Sequence, residues 1–193
     1  TPPARTVGVA VPAGRIEAAV DALDGLAGAM LERSGVPGLA VAVVHEGETV
    51  YARGFGLRKV GEDAAIDAET VFQVASLSKS ISATVAATQV GEGRVAWDTP
   101  VVAQLPWFSL ADPWVSEHVT VGDLFAHRSG LPDHAGDDLE DLGFAQRAIF
   151  ERLRAIPLEP FRITYAYTNM GLSVAALAVA AAAGEDWATL SEK

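Results

Sequence analysis

Ser76 and Lys79 stand three residues apart in Phe72-Gln73-Val74-Ala75-Ser76-Leu77-Ser78-Lys79. At the opening of a helix, that spacing puts a hydroxyl and an ammonium one turn apart on one face. The helix N-terminus adds free backbone N–H groups and a partial positive charge beside the serine. Such a serine can act as a nucleophile whose proton is managed by the lysine, or by a group that the lysine controls. Ser-x-x-Lys is also short enough to arise by chance. An N-capping Ser76 and a solvated Lys79 fit the same residues.

Three further clusters could carry chemistry. Tyr167 and Asn169 lie two apart, in a polar break just before a very apolar segment, and read equally as a core tyrosine and a capping asparagine. His127 and Ser129 invite a Ser–His reading, but adjacency in sequence does not give hydrogen-bond geometry, and a buried histidine tying down a turn fits as well. Asp137, Asp138, Glu140 and Asp141 form an acidic cluster. Its spacing does not match a calcium loop, so it reads as a solvated face.

The elements that must position these residues follow from periodicity. Ile16, Val20, Leu23, Leu26/Ala27, Met30 and Leu31 predict an amphipathic helix over Arg15–Arg33, after a loose start and stopped by Ser34-Gly35 and Val36-Pro37-Gly38. Leu39–Val44 and Thr49–Phe55 read as strands joined by a turn at His45-Glu46-Gly47-Glu48. The fully apolar first strand suggests a sheet with helices packed on it, yet two strands alone cannot make a stable buried sheet. Leu57–Glu69 reads as a loop. A buried helix is expected from Leu77 to Gly91, with Ser76 at its beginning. A short helix begins at Val119–Phe125, with Thr120 as N-cap and Asp123 at the third helical position. Phe144–Leu153 and Met170–Ala183 complete the helices, Gly184 stops the last, and Trp187 packs back on it.

With 193 residues, 50% hydrophobic and 20% charged, the chain suits an ordered domain, or one domain plus part of another. Lys+Arg 14 against Asp+Glu 25 gives a net charge of −11, which disfavours nucleic-acid backbones and anionic membranes as partners. The absence of cysteine excludes disulfides, Cys-based zinc sites and a thiol nucleophile. The longest apolar run, Leu172–Ala183, is interrupted by Ser173 and is too short to span a bilayer. Thr1-Pro2-Pro3-Ala4-Arg5 has no pattern of charge followed by an apolar core, which leaves export undecided.

At Tyr167-Thr168-Asn169 the chain resembles the serine β-lactamase and penicillin-binding superfamily, in its class C branch with the related D-Ala-D-Ala peptidases and esterases. Five landmarks occur in order. Residues 37–44 with Gly47 and Gly54-Phe55-Gly56 resemble the family's first hairpin, and residues 70–79 its nucleophile motif. Residues 93–101 and 119–132 are similar to two segments of largely structural role, and Tyr167-Thr168-Asn169 matches Tyr-x-Asn.

The resemblance implies an α/β fold with a helical subdomain, β-lactamase/transpeptidase-like. Residues 1–69 would give the helix and hairpin of an incomplete α/β domain, and residues 70–193 a mostly helical domain carrying both motifs. It implies Ser76 as the acylated nucleophile, with Lys79 and Tyr167 sharing the proton chemistry and Tyr167 activating water in deacylation. Either of the two could be the base. Asn169 would hold Lys79 and the substrate's amide. The Ser76 N–H would be half of an oxyanion hole, and His134, placed by its distance from Gly130-Leu131-Pro132, would lie near the cleft as a substrate-binding residue. No metal or organic cofactor is implied. The substrate would be a small-molecule or peptide acyl compound: a β-lactam, a D-Ala-D-Ala peptide or an ester. An exported location is favoured. The rival reading is a penicillin-recognising sensor, or an inactive binding protein of the same fold.

One departure stands out. The lysines are Lys59, Lys79 and Lys193, and neither Lys-Thr-Gly nor His-x-Gly follows Tyr167, where the family's third motif belongs. The expectation is therefore an N-terminal part of a larger fold. Its remaining half would come from the same precursor or another chain, and residues 1–193 alone would be inactive.

Overall fold

An apolar residue every three or four positions gives α1 (Arg15–Ser34) one face that leaves solvent, made of Ile16, Val20, Leu23, Ala27 and Leu31. Leu26 and Met30 fall off that stripe and stay 59% and 55% exposed, so the apolar face is narrower than the sequence suggested. Gly35, at φ 68, ends the helix and donates its N–H to the Leu31 carbonyl. A computed structural model describes residues 11–193. The reading of Thr1–Arg5 and most of the loose start lie outside the described residues. The chain forms two compact units, one ending at Gln73 and the other beginning at Val74.

In the first unit, β1 (Gly38–His45) and β2 (Glu48–Gly56) pair antiparallel from Gly38↔Gly56 to His45↔Glu48, with a bulge beside Val43/Val44. Glu46 and Gly47 make the connection with φ of 52° and 87°, the left-handed pair that a two-residue hairpin needs. Asp24 of α1 accepts a hydrogen bond from the Tyr51 hydroxyl (2.6 Å) and pairs with Arg53, tying helix to hairpin. Leu39–Val44 is apolar throughout, but within it only alternate residues (Leu39, Val41, Val43) are half-buried. Ala40, Ala42 and Val44 are exposed. Among the described residues the sheet has two strands and an open face.

The second unit is helical. It begins with a single 3-10 turn at Ala75–Leu77, followed by α2 (Ser78–Gly91), α3 (Val101–Gln104), α4 (Pro113–His118), α5 (Val121–Phe125), α6 (Asp137–Asp141), α7 (Gln146–Arg152), α8 (Asn169–Ala183) and α9 (Trp187–Ser191). Helix α8 is its axis. Apolar on every side and rich in alanine, it lets α2, α3, α5, α7 and α9 approach closely. Val174, Ala175, Ala178 and Val179 are fully buried, together with Leu124, Leu131, Phe150 and Leu153. Gly184, at φ 73, closes the helix as the sequence predicts, and Trp187 packs back against the core.

Two helix starts and the burial of one helix differ from the sequence reading. Ser76 lies in the 3-10 turn, and α2 starts two residues later. Helix α7 starts at Gln146, leaving Phe144 and Ala145 outside it. Helix α2 was expected to be buried, but only Ala86 and Gln89 are, while Ile81 is 56% exposed.

Candidate active site

The turn that presents Ser76 is strained at one position. Ala75 has φ 44, a left-handed conformation that its Cβ disfavours. The Ser76 side chain caps neither the turn nor α2. The N-cap alternative for Ser76 therefore fails here, and its hydroxyl is exposed.

The facing residues stand on a segment that is neither helix nor strand. Residues 162–168 run along the loop 127–134, joined by a series of hydrogen bonds. The Arg162 N–H donates to the Arg128 carbonyl (3.0 Å), and the Ala166 N–H to that of His127 (2.9 Å). The Tyr167 N–H donates to Asp133 Oδ1 (2.8 Å), and its carbonyl accepts from the His134 N–H (2.8 Å). The Thr168 N–H donates to His127 Nδ1 (3.1 Å). His127 is thus the buried histidine that ties down a turn, and it also packs its ring 4.7 Å from that of Tyr167. Burial and the Lys79 charge hold its pKa below the ordinary value, outweighing Asp133, which keeps Nδ1 available as an acceptor.

Both ends of this segment are anchored. At its start, Arg162 reaches the fully buried Asp123 through Nη2 (2.8 Å) and Nε (3.0 Å). Asp123 also closes the capping box with Thr120 expected from sequence, and accepts from Arg128 Nε (2.8 Å). Burial opposes its charge, but hydrogen bonds from Arg162 and Thr120 outweigh it and keep the carboxyl below its usual pKa. At the other end, Thr168 is fully buried over Gly171. A Cβ at 171 would lie 2.4 Å from Thr168 Oγ1, so the close approach needs glycine there.

Ser76, Lys79, Tyr167 and Asn169 come together. The Tyr167 hydroxyl donates to Ser76 Oγ at 2.5 Å, and Lys79 Nζ donates to the same oxygen at 3.1 Å. Lys79 Nζ also donates to Asn169 Oδ1 (2.7 Å) and sits 4.7 Å from the centre of the Tyr167 ring. The Lys79 ammonium, followed by the Ser76 hydrogen bond, holds the Tyr167 phenol below its usual pKa against burial and the Asp137 charge. Asn169 is the first residue of α8 and does not cap it. Its side chain is turned to the lysine.

His134 lies beside this group, its ring 5.6 Å from that of Tyr167. Its Nδ1 is 2.7 Å from Asp137 Oδ2, a contact that leads the causes raising the imidazole pKa above its ordinary value. Asp137 Oδ2 also accepts from Asn169 Nδ2 (2.7 Å). The reading of the acidic cluster as a solvated face is therefore corrected at Asp137, which turns inward with only 21% of its side chain exposed. Sequence reasoning missed this residue. Its one trace was the His134-x-x-Asp137 spacing, in which residues three apart can meet.

Residues 23–193 match the sequence profile of the Beta-lactamase family. The chain belongs to that family. Relatives of this beta-lactamase-family chain include the unguisins hydrolase of Aspergillus campestris, 30% identical over 164 residues, covering 80% of this chain and 30% of the relative. Penicillin-binding protein 4 of Amycolatopsis lactamdurans is 37% identical over 108 residues, covering 56% and 27%. Among solved structures, a class C beta-lactamase superposes with a TM-score of 0.74 at 25% identity, covering 91% of this chain and 48% of that one. The chain thus spans under a third of the length of these curated relatives and about half of that solved structure. Its resemblance lies in the class C-like branch of the serine β-lactamase and penicillin-binding superfamily. The mostly helical α/β arrangement with a small open sheet matches the N-terminal part of the larger β-lactamase/transpeptidase fold. No helix among the described residues is long and apolar enough to cross a membrane.

Proposed function

We propose that this chain carries the nucleophile side of a serine hydrolase active site that works through an acyl-enzyme at Ser76. The observation that carries the reading is the pair of hydrogen bonds received by Ser76 Oγ, from Tyr167 at 2.5 Å and Lys79 at 3.1 Å. Tyrosine is a poor base until a cation favours its phenolate, and Lys79 supplies that cation. Once its own proton has left, the Tyr167 oxygen takes the Ser76 proton as Oγ attacks an acyl carbon. The phenol returns that proton to the leaving group, and water activated by Tyr167 hydrolyses the ester that remains. Asn169 holds Lys79 through Oδ1, and its second Nδ2 proton is available to a substrate amide. The Ser76 N–H provides one oxyanion donor. His134 is a substrate-binding residue in this proposal. No metal or organic cofactor takes part.

The substrate is an amide, β-lactam or ester. The family's third motif, with the second oxyanion donor, comes in this proposal from sequence outside these 193 residues. An exported location accompanies the reading by family likeness.

The test is covalent labelling of the full-length protein with a fluorescent penicillin or a fluorophosphonate. Wild type is expected to label and Ser76→Ala to lose labelling; equal labelling of both would sink the assignment. Steady turnover of a p-nitrophenyl ester or a chromogenic cephalosporin supports a hydrolase. A stoichiometric burst without turnover would move the reading to a penicillin-recognising sensor.

A further inference from the structure

Asn169 is useful to Lys79 only in one of its two amide orientations. With Oδ1 towards the ammonium it accepts a hydrogen bond; turned by half a rotation, it would present an N–H2 group to a cation. Its position at the start of α8 does not choose between them, because the side chain makes no capping bond. The choice is made by Asp137. Its Oδ2 accepts from Asn169 Nδ2 at 2.7 Å, which leaves Asn169 Oδ1 to accept the hydrogen bond of Lys79 Nζ, also at 2.7 Å. A carboxylate has no donor to offer, so the reversed amide would set two acceptors against each other.

We infer that Asp137 is a positioning residue, which fixes the Asn169 amide and through it the place of Lys79 beside Ser76 and Tyr167. The inference rests on the proposed role of Ser76. Two further observations support it. His134 Nδ1 holds the same oxygen from the other side at 2.7 Å, so Asp137 Oδ2 is braced between two partners. Asp137 Oδ1, by contrast, is buried with no hydrogen-bond partner among the described residues. An unpartnered carboxylate oxygen costs stability, which fits a group retained for what its other oxygen does. The line Asp137–Asn169–Lys79–Ser76 joins the start of α6 to the start of α8, the first turn of α2 and the 3-10 turn ahead of it.

The negative charge has a separate effect that an experiment can read. Asp137 opposes loss of the Tyr167 proton, while Lys79 favours it. Asp137→Asn keeps an oxygen acceptor for Asn169 and removes the charge. Asp137→Ala removes both.

In the full-length protein, acylation by a fluorophosphonate is expected to slow by about 100-fold in Asp137→Ala, the scale of a misplacement near one ångström. Asp137→Asn is expected to remain within about tenfold of wild type, with the acid limb of its pH–rate profile moved to lower pH. Added to Asn169→Ala, Asp137→Ala should change the rate by less than about threefold, because its effect passes through the amide. An unchanged rate in Asp137→Ala, or full additivity with Asn169→Ala, overturns the inference. A crystal structure of Asp137→Ala reads the geometry without any activity. The Lys79–Asn169 separation should open beyond hydrogen-bond distance, and an intact bond would overturn the inference on its own. Failure of wild type to label at Ser76 counts against the proposed function alone, since this structural comparison still decides the role of Asp137. Should the alanine variant not fold, a crystal structure of Asp137→Leu gives the same geometric readout, again with an intact bond as the overturning result.

Discussion

Helices α2 and α8 carry the two sides of the same candidate site, yet they are built differently. Helix α8 buries nine of its 15 residues, whereas α2 buries two of its 14. Asn169 begins a helix held on all sides, and Tyr167, just ahead of it, has both backbone polar groups bonded to the loop 133–134. Ser76 and Lys79 stand on an exposed turn and the first turn of a thinly packed helix. The difference suggests a division of labour. One side sets the geometry, and the other is brought to it by the Lys79 and Tyr167 hydrogen bonds.

The largest effect should come from the bonds between the two sides. Tyr167→Phe keeps the ring that packs against His127 and His134 and deletes the oxygen that bonds Ser76. Acylation of the full-length protein is expected to fall by about 10²–10⁴-fold, the usual range for losing a positioned acid or base. Folding should be nearly unaffected. In wild type the rate should climb with pH and level off below the ordinary tyrosine pKa, because Tyr167 is lowered. A Phe variant that acylates at the wild-type rate would leave Lys79 as the base.

Stability should divide in the opposite sense. Met170, one residue beyond Asn169, is 2% exposed against the core, and Met170→Ala is expected to cost about 2–5 kcal/mol in denaturant unfolding. Thr84, on the exposed side of α2, bonds only the Ser80 carbonyl one turn back. Thr84→Ala should stay within about 0.5 kcal/mol. Similar costs at both positions would mean that α2 is held as firmly as α8, and the contrast would fail.

The same contrast explains what the sequence could reveal. Helices α1, α5 and α8 announced themselves through periodicity, the Thr120–Asp123 capping box and the terminating Gly184. All of these are local signals within one turn or one stripe. Ser76, Lys79, Tyr167 and Asn169 were legible through ordered motifs, although composition and spacing alone left each with an ordinary structural alternative. The loop 127–134 and the segment 162–168 were not legible. They are held by bonds between residues far apart in sequence, such as Tyr167 to Asp133 and Arg162 to Asp123, which leave no periodic trace. Asp137 was hidden for another reason. Four acidic residues within five positions resemble a solvated face, and only tertiary structure turns one of them inward. Helix α2 failed differently, since its apolar spacing predicts a buried face while Ile81 and Leu77 remain exposed among the described residues.

The last prediction separates two histidines that flank Tyr167 and differ in burial. His127 is 8% exposed and its pKa is lowered, by burial first and then by Lys79. The unfolded chain then binds that proton more readily. Its contribution to stability is full above the ordinary histidine value of about 6.5 and is lost as pH falls through the lowered folded value. His134 is exposed and its pKa is raised, by the Asp137 hydrogen bond first, with Asp133 and Asp137 charges adding to it and Lys79 opposing. Its contribution is full below about 6.5 and is lost as pH rises through the raised folded value. The two slopes have opposite signs and lie on either side of about pH 6.5, that of His127 below it and that of His134 above it. His134→Gln removes the compensating one, so its melting temperature should fall more steeply on acidification than that of wild type, measured from pH 8 to pH 5. The separation between the two melting curves should be widest at the acid end and should close as pH rises through the raised His134 value. Parallel curves would mean that the exposed histidine gains nothing from Asp137. The carboxylate would then be held by Asn169 alone.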